Sequence, residues 1–505
     1  MTLPSNLGDL VRRTDAPSRP LFIGVGPGAA EHILTRAALD AMADAFARGL
    51  IKRGIKRGDR IAILAANRPD YVALLLGAMR AGVVAVPSTF NFPAATIANV
   101  IADCGARLVV HDDERRAAVD PEKFPGVSFI GFDGEAGVAS WLDPGPFEPI
   151  TPRPDESAIS LYTSGSTGRP KGVLLSHASH LWVAETRRQE SDLHDDRVLI
   201  AAPLYHMNAL ALCLLSLASG ATTVLLPQFQ AVAYIEAISR YRCTWLTAVP
   251  PMIAMMLRET DALAHADLSS VRTVRMGSAP VNDALARQIR ELLPNARIIN
   301  AYGTTEGGPI VFGAHPDGLP TPTASVGYPH PQVQVRLVGP QAPDSGVLQM
   351  KSPAVMLGYH NRSDVTSPIT EDGYYDTSDV FRRDSDGFYY FVGRSDDMFV
   401  SGGENIFPSE VEDVLETHPD VLQASVVPVD DDIKGTKPVA FVVRRPGSLV
   451  DEEALKQHVL ANAPAYQHPR RVWFLDQMLL ATTNKIDRVG LRARAEAELR
   501  KSRDH

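Results

Sequence analysis

RIAILAANRPDYVALLLGAMRAGVVAV, residues 60–86, shows the fold in miniature. RIAILAA, at 60–66, is an apolar run of strand length. Pro69 then opens a helix, where its missing N–H costs nothing, and YVALLLGAMRA carries that helix on. GVVAV, at 82–86, is the next buried strand. Strand, helix, strand in this order argues for a parallel sheet with covering helices. ARLVVHD at 106–112 follows another helical stretch, and the rhythm returns in TTVLLP, CTWLTAVP, VRTVRMG and ARIINAYG between 222 and 303. From about Ser325 the texture changes. VQVRLVG, VLQMKS, GFYYFVG and DMFVSGG are short strands between Gly and Asp turns, an all-β signature. Beyond Ile406 comes a small α+β unit: helix PSEVEDVLETHP, strands ASVVPVD and PVAFVVRR, helix DEEALKQHVLANAP and strand RVWFLD. The boundary falls at 394–396, giving a domain of residues 1–395 and a second of 396–505.

Composition bounds the function. The chain has 505 residues, 45% hydrophobic and 22% charged, as in ordinary globular proteins. A net charge of −9 offers no global attraction to nucleic acid or anionic membrane, so an anionic ligand must be held by local groups. The N-terminal MTLPSNLGDLVRR has acidic Asp9 and no apolar core of a secretory signal. Residues 207–235 carry no charge, long enough to nominate a membrane span. Ser216, Ser219, Gly220, Thr222, Thr223 and Pro227 instead break it into a short apolar helix, a turn and a strand. Cys104, Cys213 and Cys243 lack metal-ligand spacing and read as small core residues. The expectation is a cytoplasmic protein without stable membrane insertion or nucleic-acid partner.

The densest chemistry is YTSGSTGRPKG at 162–172. Glycines let the backbone fold tightly around an anion, and hydroxyls add donors. Lys171 adds a full positive charge. This is a phosphate cradle in chemical terms, though its spacing is not that of a Walker A loop. A Ser/Gly linker would share the composition, but Pro170, Lys171 and the apolar VLL that follows oppose that reading.

The segment resembles the phosphate-binding loop of the adenylate-forming superfamily, which includes acyl- and aryl-CoA ligases, amino-acid adenylation domains and firefly-type luciferases. PLYHMNAL (203–210), GSAP (277–280), NAYGTTEGGP (300–309), YYDTSD (374–379), GRSDDMFVSGGENIFPSEVE (393–412) and TNKIDR (483–488) resemble the other motifs, in family order. The resemblance covers nearly the whole chain. It implies an α/β fold: a large N-terminal domain of parallel-rich sheets with covering helices plus a small β-subdomain, and a mobile α+β C-terminal domain. It also implies ATP, Mg²⁺ and CoA as co-substrates and ions.

Roles follow residue by residue from the resemblance. Thr163, Ser164, Gly165, Ser166, Thr167, Gly168 and Lys171 would cradle phosphate. Gly277, Ser278, Ala279 and Pro280 would border adenine. Asn300, Ala301, Tyr302, Gly303, Thr304 and Thr305 form the central nucleotide motif, with Tyr302 offering a flat face and Thr305 a hydroxyl. Glu306 would face Mg²⁺, which takes one or two carboxylates plus phosphate oxygens. Asp379 and Arg394 would hold the ribose hydroxyls. His206 is a positioning residue beside the substrate carboxylate, which needs no base because it is already ionised at neutral pH. Lys485 would serve adenylate formation. Ser401, Gly402, Gly403 and Glu404 would face CoA after the C-terminal domain rotates about Asp396. Acid-pocket positions are His206, Met207, Asn208, Ala248, Gly277, Gly308 and Pro309.

The reaction implied has two steps: a carboxylate attacks the α-phosphate of ATP, then the CoA thiol displaces AMP. The alternative is a stand-alone adenylation enzyme loading a non-amino acid onto a carrier protein. An amino-acid adenylation enzyme would place an acidic residue early in its acid pocket, and PLYHMNAL has none. A non-catalytic nucleotide-binding relative would lack Lys485 or Glu306, and both are present. Three segments depart from the common pattern. T-G-D is Thr377-Ser378-Asp379, the approach to Lys485 reads LLATTNK, and polar Asn208 follows His206 closely. None of the pocket positions is Arg or Lys, which argues against a dicarboxylate. A medium or aromatic monocarboxylate is expected, with a short hydroxy acid as the alternative. Monomers and homodimers are usual in the family.

Overall fold

The computed structural model describes residues 4–13, 16–26, 30–90, 92–163, 170–277, 281, 283–431, 433–481 and 486–501. Two seven-stranded sheets form the larger part of the chain. In the first, Arg60–Leu64 lies between Val84–Pro87 and Ala106–His111, all parallel. Ser157–Thr163 continues that sheet and turns back antiparallel into Lys171–Ser176. In the second, Arg297–Ala301, Thr273–Gly277, Trp245–Ala248, Arg197–Ile200 and Thr222–Leu225 are parallel neighbours. Its edge is an antiparallel pair, Pro20–Val25 with Glu31–Thr35.

The helix Pro69–Arg80 is buried at every position, so it is core rather than cover. One apolar cluster includes this helix and residues of both sheets. Arg80 is completely buried in it. Its guanidinium donates to Asp40 at 2.5 Å, Asp44 at 2.6 Å and the Gly8 carbonyl at 2.8 Å. Those partners satisfy a charge that would otherwise be costly there. Met207–Ser219 is the short apolar helix expected from the charge-free stretch, closed by Gly220 in the left-handed region, with Thr222–Leu225 after it. Among the described residues no helix is long and apolar enough to cross a membrane. The three cysteines are free and buried, and burial pushes each thiol up to about 12.

A four-stranded antiparallel sheet follows: Gln334–Val338, Ser345–Lys351, Tyr375–Arg383 and Tyr389–Arg394. The sheet then changes. Phe399–Ser401 pairs with Glu404–Ile406 and belongs to a five-stranded sheet with Gly435–Arg444, Val421–Asp431 and Val472–Leu475. Helices Pro408–Glu416, Glu452–Asn462 and Arg488–Lys501 accompany this last sheet, which carries two apolar clusters of its own.

Candidate active site

Parallel strands deliver their C-terminal ends to one edge, the usual place for a ligand in an open α/β sheet. Gly277 and Ala301 end adjacent strands and are register partners. Tyr302–Glu306 follow directly and line a cavity of about 1460 Å³. Thr163 and Lys171, paired across the antiparallel turn of the first sheet, line it from another side. Asp379 and Arg394, register partners in the four-stranded sheet, line a third.

One connected set of polar groups lies around Tyr302 and Asp379. The Tyr302 hydroxyl donates to Asp379 Oδ2 at 2.5 Å, and Arg394 Nη1 donates to Asp379 Oδ1 at 3.1 Å. Arg394 also grips Asp396 with Nε at 2.8 Å and Nη2 at 3.0 Å. Burial and the Asp379 carboxylate push the Tyr302 phenol well above its usual range, so it stays a donor. The Tyr302 ring is fixed edge-on against Phe381, with centroids 4.8 Å apart.

Ser378 explains the departure from T-G-D. Its φ is +57°, the left-handed region that favours glycine. The turn is held by Thr377 Oγ1, which accepts from the Asp379 N–H at 3.0 Å and donates to the Leu348 carbonyl at 2.8 Å. Ser378→Val, branched at Cβ, should destabilise the fold by about 1–2 kcal/mol, because left-handed backbone strains such a residue most. Chemical denaturation of both proteins measures this; a midpoint unchanged by valine would contradict the strained turn.

A second set sits around Lys171. Lys171 Nζ lies 3.5 Å from the Tyr359 hydroxyl and 4.6 Å from the ring centroid. The same hydroxyl donates to Glu306 Oε1 at 3.1 Å. Tyr359 thus holds the cation and the carboxylate on one atom. It belongs to a two-residue strand, Gly358–Tyr359, paired with the strand that begins at Lys171. Sequence reasoning missed it because its role comes from that long-range pairing.

His206, Met207, Asn208, Gly277 and Pro309, expected in the acid pocket, line the cavity, as do Asn300, Gly303, Thr304, Thr305 and Asp396. The His206 ring meets Tyr205 edge-on at 4.6 Å. Two expectations need correction. Ala248 is fully buried in its strand and offers only its carbonyl, to Asn208 Nδ2 at 3.5 Å. Gly308 is packed so that an added Cβ would lie 2.3 Å from Ala354 Cβ; its φ of +90° makes it a turn residue, not a wall. Neither lines the cavity among the described residues.

A third correction concerns charge. Arg275 lines the cavity, although no basic residue was expected among the acid-pocket positions. Its signal was present: on strand Thr273–Gly277, Arg275 shares a face with Gly277 by the two-residue repeat. Apolar Val249, Met252 and Val281, also missed, line the cavity too.

Ser401, Gly402, Gly403 and Glu404 do not line the cavity. They form a tight hairpin in which Ser401 and Glu404 are partners, with Gly402 and Gly403 at φ +62° and +90°. A Cβ on Gly403 would meet nothing within 4 Å. The C-terminal unit instead presents Glu410, Asp413, Glu416, Thr417 and Val489 to the cavity. Ser164, Gly165, Ser166, Thr167, Gly168, Ser278, Ala279, Pro280 and Lys485 lie outside the described residues.

The cavity brings aromatic, cationic and carboxylate groups together at sheet ends, and similarity to known proteins gives the class. A model of the AMP-binding enzyme family matches residues 12–360, and one of the AMP-binding enzyme C-terminal domain matches 410–485. Feruloyl-CoA synthase of an Amycolatopsis species is 34% identical over 460 residues, 90% of this chain and 92% of that protein. 4-Coumarate-CoA ligase 1 of Narcissus pseudonarcissus is 29% identical, over 95% and 91% of the two chains. The solved structure of an anthranilate CoA ligase in complex with anthranoyl-AMP superposes with a TM-score of 0.89 at 24% identity, covering 98% of both chains. The chain belongs to the AMP-binding enzyme family, in its acyl-CoA ligase branch.

Proposed function

We propose that this protein is an ATP-dependent carboxylic acid:CoA ligase acting on an aromatic carboxylic acid. The carboxylate attacks the α-phosphorus of ATP and pyrophosphate leaves; the CoA thiol then attacks the acyl carbon, and AMP leaves. The observation that carries this reading is the convergence of Lys171, Glu306, Tyr302, Asp379 and Arg394 on one cavity. The names of the relatives, feruloyl-CoA synthase and 4-coumarate-CoA ligase, support CoA as acceptor and an aromatic acid as donor.

The first step must bring two anions together. Lys171 offsets that repulsion, and Lys485 does so from the C-terminal unit. Glu306 suits Mg²⁺: one carboxylate faces the phosphate side, and no cluster of three or more metal-ligating side chains occurs among the described residues. Such a site leaves most of the ion's shell to phosphate oxygens and water. Bound there, Mg²⁺ would supply charge neutralisation on the phosphates. Asp379 and Arg394 orient the ribose, and His206 holds the acid carboxylate against the α-phosphate. Such positioning can account for roughly 7–11 kcal/mol of barrier. The second step needs a path for pantetheine, which the hairpin at 401–404 would line once residues 396–505 turn about Asp396.

Incubation with ATP, Mg²⁺, CoA and aromatic acids, following pyrophosphate and thioester separately, tests the reading. Pyrophosphate without thioester would favour a different acceptor, such as a carrier protein. Lys171→Ala should slow pyrophosphate formation by an amount worth about 1.5–3 kcal/mol, the loss of one hydrogen bond to a charged group. Full activity in that variant would show that Lys171 does not serve phosphate.

A further inference from the structure

Arg275 lines the cavity at the end where the acid would sit. Its Nη1 donates to Asn208 Oδ1 at 2.6 Å, a neutral oxygen. Among the described residues no carboxylate stands within ion-pair distance of it. The nearby cation Arg187 is already matched by Glu190 at 2.7 Å, and Glu190 in turn approaches His330 at 3.0 Å. Burial, with Arg187 adding repulsion, pulls the Arg275 guanidinium down to about 9. A buried cation without a counter-charge is costly to keep. Met207, Val249, Met252 and Val281 also line this end, so nothing apolar there requires an arginine.

The position along the strand gives the direction. Gly277 ends its strand beside Ala301, next to the nucleotide motif. Arg275 is two residues earlier on the same face, about 6–7 Å deeper at strand spacing. Gly277 itself lines the cavity, and an added Cβ on it would lie 3.2 Å from the Ala301 carbonyl oxygen and 3.7 Å from Asn208 Oδ1, so Asn208 and its partner Arg275 stand on the Gly277 side of the cavity. An acid whose carboxylate meets the α-phosphate would point its other end this way.

We propose that the acid carries an oxygen acceptor, a carboxylate or a hydroxyl, at the end remote from its reacting carboxyl, and that Arg275 receives it. Asn208 is the positioning residue: its amide oxygen holds the guanidinium, and its amide nitrogen is tied to the Ala248 carbonyl. This deepens the ligase reading and rests on it for where the reacting carboxyl lies. It also reverses the exclusion of a second acidic group drawn from the pocket motif alone.

The test uses acyl-sulfamoyl adenosine analogues, which present acid and adenosine together without turnover. Three aryl analogues would differ only at the far end: carboxylate, hydroxyl or methyl. The wild-type protein should bind at least one oxygen-bearing analogue about tenfold to a hundredfold more tightly than the methyl one. Arg275→Leu should erase that preference, and Arg275→Lys should restore part of it. Arg275→Gln serves as a second neutral variant should leucine disturb the fold. The tighter of the two oxygen-bearing analogues tells a charged partner from a neutral one. A wild-type preference for methyl, or one that survives both neutral variants, overturns the assignment. Failure of the ligase reading would show separately, as absence of thioester from ATP, free acids and CoA.

Discussion

Lys485→Ala is expected to cut pyrophosphate release by about a hundredfold or more, the usual scale for removing a preorganised charge from a reacting centre. Supplied with preformed acyl-adenylate and CoA, the same variant should still make thioester. In the proposed mechanism the ammonium offsets charge only while carboxylate and phosphate approach each other. On the same proposal the thiol attack comes after the C-terminal unit has turned. Gly403→Leu should behave conversely, releasing pyrophosphate and forming thioester poorly. The hairpin adds a consideration absent from sequence alone: at φ +90° any side chain strains the turn, even though open space surrounds it. Gly403→Ala, which carries the same strain and little bulk, therefore belongs beside the leucine variant. Single-turnover measurements of each half-reaction decide the matter. Equal loss of both halves in Lys485→Ala, or loss of adenylation alone in Gly403→Leu, would remove the rotating-domain mechanism.

Asp396→Pro should divide the reaction in the same way. Asp396 follows the last strand of one sheet by two residues and precedes the first strand of the next by three. Proline fixes φ near −65° and restricts Ser395 before it. The two-pronged grip of Arg394 on the Asp396 carboxylate is lost as well. A chain confined to one arrangement misplaces groups needed in the other, and a misplacement of 1 Å can cost about a hundredfold. One half-reaction should therefore survive while the other falls by that order. A folded variant losing both equally would place the pivot elsewhere.

The sequence was informative where burial dominates. Strand Arg60–Leu64, helix Pro69–Arg80 and strand Val84–Pro87 lie deep in the core, so their apolar runs read directly as elements. Gly220 closes its helix as the break in the apolar stretch suggests. The pair Pro20–Val25 and Glu31–Thr35 was not foreseen. It is an antiparallel edge, and Glu31–Thr35 is mostly exposed, so EHILT lacks an apolar pattern. Tyr375–Arg383 was read as a binding motif and is also a nine-residue strand. Its Asp and Arg residues hide a buried alternate face, and a bulge interrupts its pairing at each side. In the site, the ordered motifs named many of the residues that line one cavity. Arg275 and Tyr359 escaped because their meaning depends on which chain segments fold beside them.

The three cysteines carry a consequence for any enzyme that makes a reactive acyl donor. An acyl-adenylate acylates whatever thiolate reaches it, including one belonging to the protein that formed it. Cys104, Cys213 and Cys243 are each almost wholly withdrawn from solvent, with thiols raised to about 12, and none faces the cavity. Self-acylation at cysteine is thereby closed off by packing alone, and the activated acyl group waits for a sulfur that arrives from solution.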